Sequence, residues 1–157
     1  MPDRIVVPLD GSAVAEQVLP VAARLALRLG AELTLVRVLE PISAVEVVAT
    51  AGVVDPDEIA LRALEAEQYL ADVRARLAHD GHRVRTLLRK GAPAEEIAAA
   101  VREVGADLVA MCTHGRGGLR RAVLGSVAES VLRTAGVPVL LTRAARPPAP
   151  AERGAAP

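Results

Sequence analysis

The chain has no tryptophan, no phenylalanine and a single tyrosine, Tyr69. Aromatic platforms for stacking bases are therefore missing, which argues against single-stranded nucleic-acid binding, and any core must be built from valine, leucine, isoleucine and alanine. One cysteine, Cys112, excludes an internal disulfide. The three histidines, His79, His82 and His114, do not join it in a zinc-ligand spacing. Cys112 and His114 stand two residues apart at what reads as a strand end; small-residue packing beside a loop is favoured there over a metal or nucleophilic pair. Charge of one sign is lacking too: 19 basic residues balance 19 acidic ones, so there is no general footprint for duplex DNA or an anionic membrane. No charged-then-apolar leader opens the chain, and no run approaches the roughly 18 apolar residues that span a bilayer. The expectation is a soluble, cytoplasmic protein. The one lysine, Lys90, sits outside any G-x4-G-K-(S/T) loop, and G-x-G-x-x-G and G-x-S-x-G are absent, which argues against P-loop, dinucleotide and hydrolase sites.

What is present is a chain of 157 residues, 52% hydrophobic, enough for the core of one domain. Ile5 to Leu9 is an unbroken apolar run, as in a strand buried on both faces. Ser12 is placed to cap a helix in which Val14, Val18, Val21, Leu25 and Leu29 recur at helical spacing, with a kink expected at Pro20 and a stop at Gly30. Leu33 to Leu39 reads as a second strand, and Pro41 to Val54 as an apolar segment that is a lid or an interface. Asp55-Pro-Asp-Glu58 opens a long helix whose expected apolar face is Ile59, Ala63, Ala66, Leu70, Val73 and Leu77. Val84 to Leu88, Leu108 to Cys112 and Val137 to Thr142 read as strands three to five. Helices from Pro93 to Gly105 and from Ser126 to Thr134 separate them. Strands alternating with helices require crossovers, which predicts an α/β doubly wound five-stranded parallel sheet with helices on both faces. From Ala144 onward the Pro/Ala-rich composition predicts a disordered tail, leaving 1–143 as the domain.

The segment from Met111 to Val127 joins a strand end, a glycine loop and a helix start, a combination suited to anions. Gly115, Gly117 and Gly118 can bring bare N–H groups to a ligand, and Gly125 and Ser126 open a helix N-terminus. The segment resembles the universal stress protein family, whose nucleotide pattern is G-x2-G-x9-G-(S/T): Gly115, Gly125 and Ser126 match, while Cys112 occupies the first glycine position. Pro8-Leu9-Asp10-Gly11-Ser12 resembles the family's opening Pro-x-Asp-x-Ser, and the resemblance spans residues 3 to 143.

The resemblance implies strand order 3-2-1-4-5 and a ligand crevice between strands one and four, beyond their carboxyl ends. It implies that Asp10 accepts hydrogen bonds from ribose or adenine, that Val38 offers backbone contacts to adenine, and that Pro8 and Met111 line the base pocket beside Leu9. Gly115, Arg116, Gly125, Ser126 and Val127, with Gly118, would hold the phosphates. Each has a plainer reading. Asp10-Gly-Ser is a common turn, Ser126 with Glu129 is a capping box, Met111 is an ordinary core residue, and Arg120 and Arg121 are solvated. The implied function is a regulatory ATP binder in the stress response, with ATP and Mg²⁺ as ligand and at most slow hydrolysis, since no general base stands by the phosphates. The alternative is a dimeric interaction module of the same family that binds no nucleotide. A homodimer through Val137 to Thr142 is expected, because that strand resembles the one by which many members pair.

Overall fold

The computed structural model describes residues 3–41, 55–113 and 124–144. Five strands, β1 (Arg4–Pro8), β2 (Glu32–Leu39), β3 (Val84–Lys90), β4 (Leu108–Cys112) and β5 (Val139–Thr142), form one parallel sheet in the order β3-β2-β1-β4-β5. The helices are α1 (Ala13–Glu16), α2 (Leu19–Leu29), α3 (Pro56–His79), α4 (Pro93–Val104) and α5 (Ser126–Thr134). Side-chain alternation along a strand divides the apolar residues between two faces. Ile5, Val7, Leu33 and Leu35 pack with α2 and with Leu70, Val73 and Leu77 of α3, whereas Val6, Val36 and Val109 pack under Ile97 and Val101 of α4 and Val131 of α5. The expected doubly wound α/β sheet, with helices on both faces, is the fold observed.

Local chemistry sets the element ends. Ser12 Oγ accepts from Ala15 N at 3.1 Å, Asp55 Oδ1 from Asp57 N at 2.9 Å, and α2 and α4 stop at left-handed Gly30 and Gly105. Three expectations are corrected. Pro20 does not kink a continuous helix: the helical run is broken at Gln17 and Val18, and Pro20 sits in the first turn of α2, where its missing N–H leaves no bond unmade. The apolar face of α3 is buried only from Ala66 onward: Ile59 is 41% exposed, beside Leu39 and Lys90 at the carboxyl ends of β2 and β3. β5 begins at Val139 rather than Val137; the Pro138 carbonyl still accepts from Val109 N, but Pro138 has no N–H to extend the ladder. The apolar segment 42–54, the glycine loop 114–123 and the tail from 145 lie outside the described residues.

At the amino end of the sheet, Asp107 Oδ2 accepts from Asp3 N at 2.8 Å and Arg4 N at 3.2 Å, and Arg4 Nη1 donates to Val104 O at 2.6 Å. These bonds tie β1 to the turn that enters β4. Beyond that point the two strands pair only at Ile5↔Leu108 and Val6↔Val109. The N–H groups of β1 alternate in direction, Arg4 toward the β4 side and Leu9 toward Val36 O on β2. By that alternation Pro8 falls on the β4 side, and it has no N–H to give. The ladder ends there and the strands part.

The two backbone donors hold the Asp107 carboxyl below its ordinary value of 3.8. A depressed folded-state pKa contributes stability above the unfolded value that disappears as pH falls through the folded one. Asp107→Asn is therefore expected to lower Tm at pH 7, with the gap from wild type closing as pH drops below 3.8. Thermal scans across pH check this; a gap independent of pH would contradict it.

Candidate functional site

Where β1 and β4 part, a cleft of about 400 Å³ opens at the carboxyl ends of the strands. Pro8, Leu9 and Asp10 form its β1 wall, Val36, Val38 and Glu40 its β2 wall, and Cys112 and Thr113 the β4 wall. Pro93 and Ile97 of α4 close one side and Gly125 to Ala128 at the start of α5 another, with Ala15 at the edge. Its size lies within the roughly 300–1,000 Å³ usual for small-molecule sites, and the walls are mainly apolar with few polar groups.

Asp10 leads the first βα turn. Its Oδ1 accepts from Ser12 N at 2.8 Å, fixing the side chain through its own turn, while Ser12 caps α1. No hydrogen bond within the described residues engages Oδ2. The turn reading of Asp10-Gly-Ser and a ligand role are thus compatible: one oxygen serves the turn and the other remains.

Across the cleft, α5 begins without a side-chain cap. Gly125 is its N-cap at φ −60°, ψ 148°; Gly125 N donates to Thr113 O at 3.1 Å and Gly125 O accepts from Glu129 N at 2.9 Å. The N–H groups of Ser126, Val127 and Ala128 belong to the first turn and have no intrahelical acceptor, so the positive end of the helix dipole opens on the cleft. The expected Ser126–Glu129 capping box is absent: Ser126 is the first helical residue rather than the N-cap, and Glu129 pairs with Arg133 at 3.2 Å one turn on. What favours glycine at 125 is proximity rather than positive φ. A Cβ there would lie 3.1 Å from Thr113 O, so the two would have to move apart by a few tenths of an ångström.

The cleft gathers Pro8, Leu9, Asp10, Val38, Cys112, Gly125, Ser126 and Val127. Met111 is not in its walls; it shares the face of Val109, toward α4 and α5, and is enclosed beside Ala128 and Val131. Gly115, Arg116 and Gly118 lie outside the described residues, as do Arg120 and Arg121. Sequence reasoning missed Ala15, Val36, Glu40, Pro93, Ile97, Thr113 and Ala128. Glu40 and Pro93 follow the ends of β2 and β3, so the rule that placed the crevice beyond the strand ends could have found them. Among the described residues no cluster of three or more His, Cys, Asp or Glu residues could hold a metal, and Cys112 is a free, buried thiol.

The pattern that defines the Universal stress protein family matches residues 1–143. Universal stress protein MJ0531 of Methanocaldococcus jannaschii is 32% identical over 140 residues, 89% of this chain and 81% of its own. Among solved structures, the protein MJ0577 superposes with a TM-score of 0.78 at 26% identity, covering 94% of this chain and 99% of that one. A universal stress protein in complex with cAMP gives 0.66 at 21% identity, covering 92% and 98%, and one from Archaeoglobus fulgidus in complex with dAMP gives 0.62 at 24%, covering 90% and 96%. The chain belongs to the universal stress protein family.

The contact between Gly125 and Thr113 has a measurable consequence. Gly125→Val should break the hydrogen bond from residue 125 to Thr113 O and speed exchange of that amide, with Gly125→Ala intermediate because its single Cβ needs only a few tenths of an ångström of movement. Hydrogen-exchange NMR checks this; unchanged protection in the valine variant would contradict it.

Proposed function

We propose that the cleft binds an adenine nucleotide, ATP with Mg²⁺, and that the protein is a regulatory nucleotide binder of the stress response. The observation that carries this reading is the convergence, across one cleft, of a fixed carboxylate on the β1 side with an uncapped helix N-terminus on the β4 side. A nucleotide has the matching polarity. Its ribose hydroxyls donate, which suits Asp10, its base is flat and apolar on its faces, which suits Pro8 and Val38, and its phosphates are anionic, which suits the first-turn N–H groups of Ser126 and Val127. Structural neighbours solved with cAMP and dAMP support the same class of ligand. In this reading Gly115, Arg116 and Gly118 complete the phosphate side. Mg²⁺ would ride on the phosphate oxygens, since that ion usually keeps its waters and takes few protein ligands.

Occupancy of the cleft would act by shifting a conformation or a partner equilibrium in the cytoplasm, and hydrolysis would be slow at most. Among the described residues no helix is long and apolar enough to cross a membrane. Cys112 favours a second reading, the interaction module without nucleotide, because it stands in the cleft wall where the family pattern has glycine. Titration calorimetry with ATP and Mg²⁺ separates the two. Saturable binding is expected for wild type, and Asp10→Ala should weaken it by about 1.5–3 kcal/mol, the usual worth of hydrogen bonds to a charged group. A wild-type protein that takes up no nucleotide would contradict the first reading and leave the second.

Both readings include a homodimer through β5. It is an edge strand with one row of backbone groups unpaired within the sheet, and all four of its residues are only partly buried. Pairing with a second copy would satisfy that row in a closed two-fold contact. Replacing Leu140 and Leu141 by Lys should therefore yield monomers in sedimentation at tens of micromolar. A wild type that sediments as a monomer there would contradict the dimer.

A further inference from the structure

We propose that Arg37 is a positioning residue for the cleft, acting on Asp10 from the opposite face of the sheet. Arg37 lies between Val36 and Val38, both of which line the cleft, so strand alternation sends its side chain to the far side. There its guanidinium carbon stands 5.0 Å from the centroid of the Tyr69 ring on α3. Its other neighbour is Gly11, the residue after Asp10: a Cβ at Gly11 would fall 3.0 Å from Arg37 Cζ. Gly11 has φ +83°, a conformation that favours glycine, and with no Cβ it leaves the guanidinium room beside the turn. The guanidinium is thus held between a phenol ring and the backbone of the Asp10-Gly11-Ser12 turn.

The ring is itself held in place. Tyr69, the only aromatic residue of the chain, has a buried hydroxyl without a hydrogen-bond partner of good geometry. Burial, and then the charge of the neighbouring Glu16 carboxylate, push its pKa well above the ordinary value, so the phenol stays neutral beneath the cation. Glu16 is in turn engaged by Arg76 at 2.7 Å. α1 and α3 thereby meet around Tyr69, and the Tyr69–Arg37 stack is the support on which the Asp10 turn rests. Asp10 is the residue of the turn that lines the cleft, its Oδ1 held by the Ser12 N–H, and the stack sets the geometry of that bond without touching ligand. This inference rests on the reading of Asp10 as a nucleotide contact.

Arg37→Met keeps an unbranched apolar stem and removes the planar cation, and Tyr69→Leu removes the ring face while leaving the cation. Each should lower ATP affinity by about tenfold, the scale of a partly desolvated cation–π contact. In an Asp10→Ala background neither should lower it further, since the effect passes through Asp10. Arg37→Lys should not restore full affinity, because an ammonium cannot lie flat between ring and backbone. Undiminished affinity in Arg37→Met, or an equal loss with and without Asp10, overturns the proposal. If wild type binds no ATP, the nucleotide reading fails and amide exchange decides the positioning claim alone. Arg37→Met should then speed exchange at Ser12 while Leu9, bonded to Val36 O, stays protected. Unchanged protection at Ser12 overturns it.

Discussion

The site depends on a constraint in the middle of the sheet: β1 and β4 pair at only two positions before they separate. Elsewhere pairing persists to the carboxyl ends, through Pro8↔Val36 and the Leu9 bond to Val36 O on one side and through the Thr113 bond to Thr142 O on the other. The break coincides with a proline in β1, which has no N–H to offer β4. It also coincides with the point where successive crossovers leave in opposite directions, so no helix fills the gap. Asp10 and the Gly125 end of α5 face each other because the strands behind them stay registered at their amino ends, tied by Asp107 and Arg4.

The scarcity of aromatics has a structural consequence. Branched aliphatics fill both faces, and Ile5, Val6, Val7, Leu33 and Leu35 are wholly enclosed, so the sheet is a firm floor without ring stacking. Surface ion pairs add little, since Arg76–Glu16, Arg85–Glu32 and Arg133–Glu129 each keep at least one partner well exposed. The one ring present lies behind the cleft, against the arginine that carries the Asp10 turn.

Features governed by neighbours in sequence were legible in it: the buried strands, the Ser12 and Asp55 caps, and the glycine stops at 30 and 105. Those governed by distant partners were not. Met111 is enclosed by α4 and α5, which its own strand does not reveal. Ile59 is exposed although its spacing puts it on the apolar face of α3. Ser126 loses the cap position to Gly125, whose place is set by Thr113 at the end of β4. Glu40 and Pro93 carry no motif and enter the cleft only through topology. Of the candidate site, the Asp10 and Gly125 ends were legible because each sits in a short, chemically marked turn.

An amide-resolved NMR titration with ATP and Mg²⁺ tests the central claim most directly, because it asks whether the two walls share one ligand. The account predicts that shifts concentrate at Asp10, Val38, Thr113, Ser126 and Val127, moving together with a single affinity. Shifts confined to Ile59 and Lys90, outside the cleft, or no shifts at all, would contradict it.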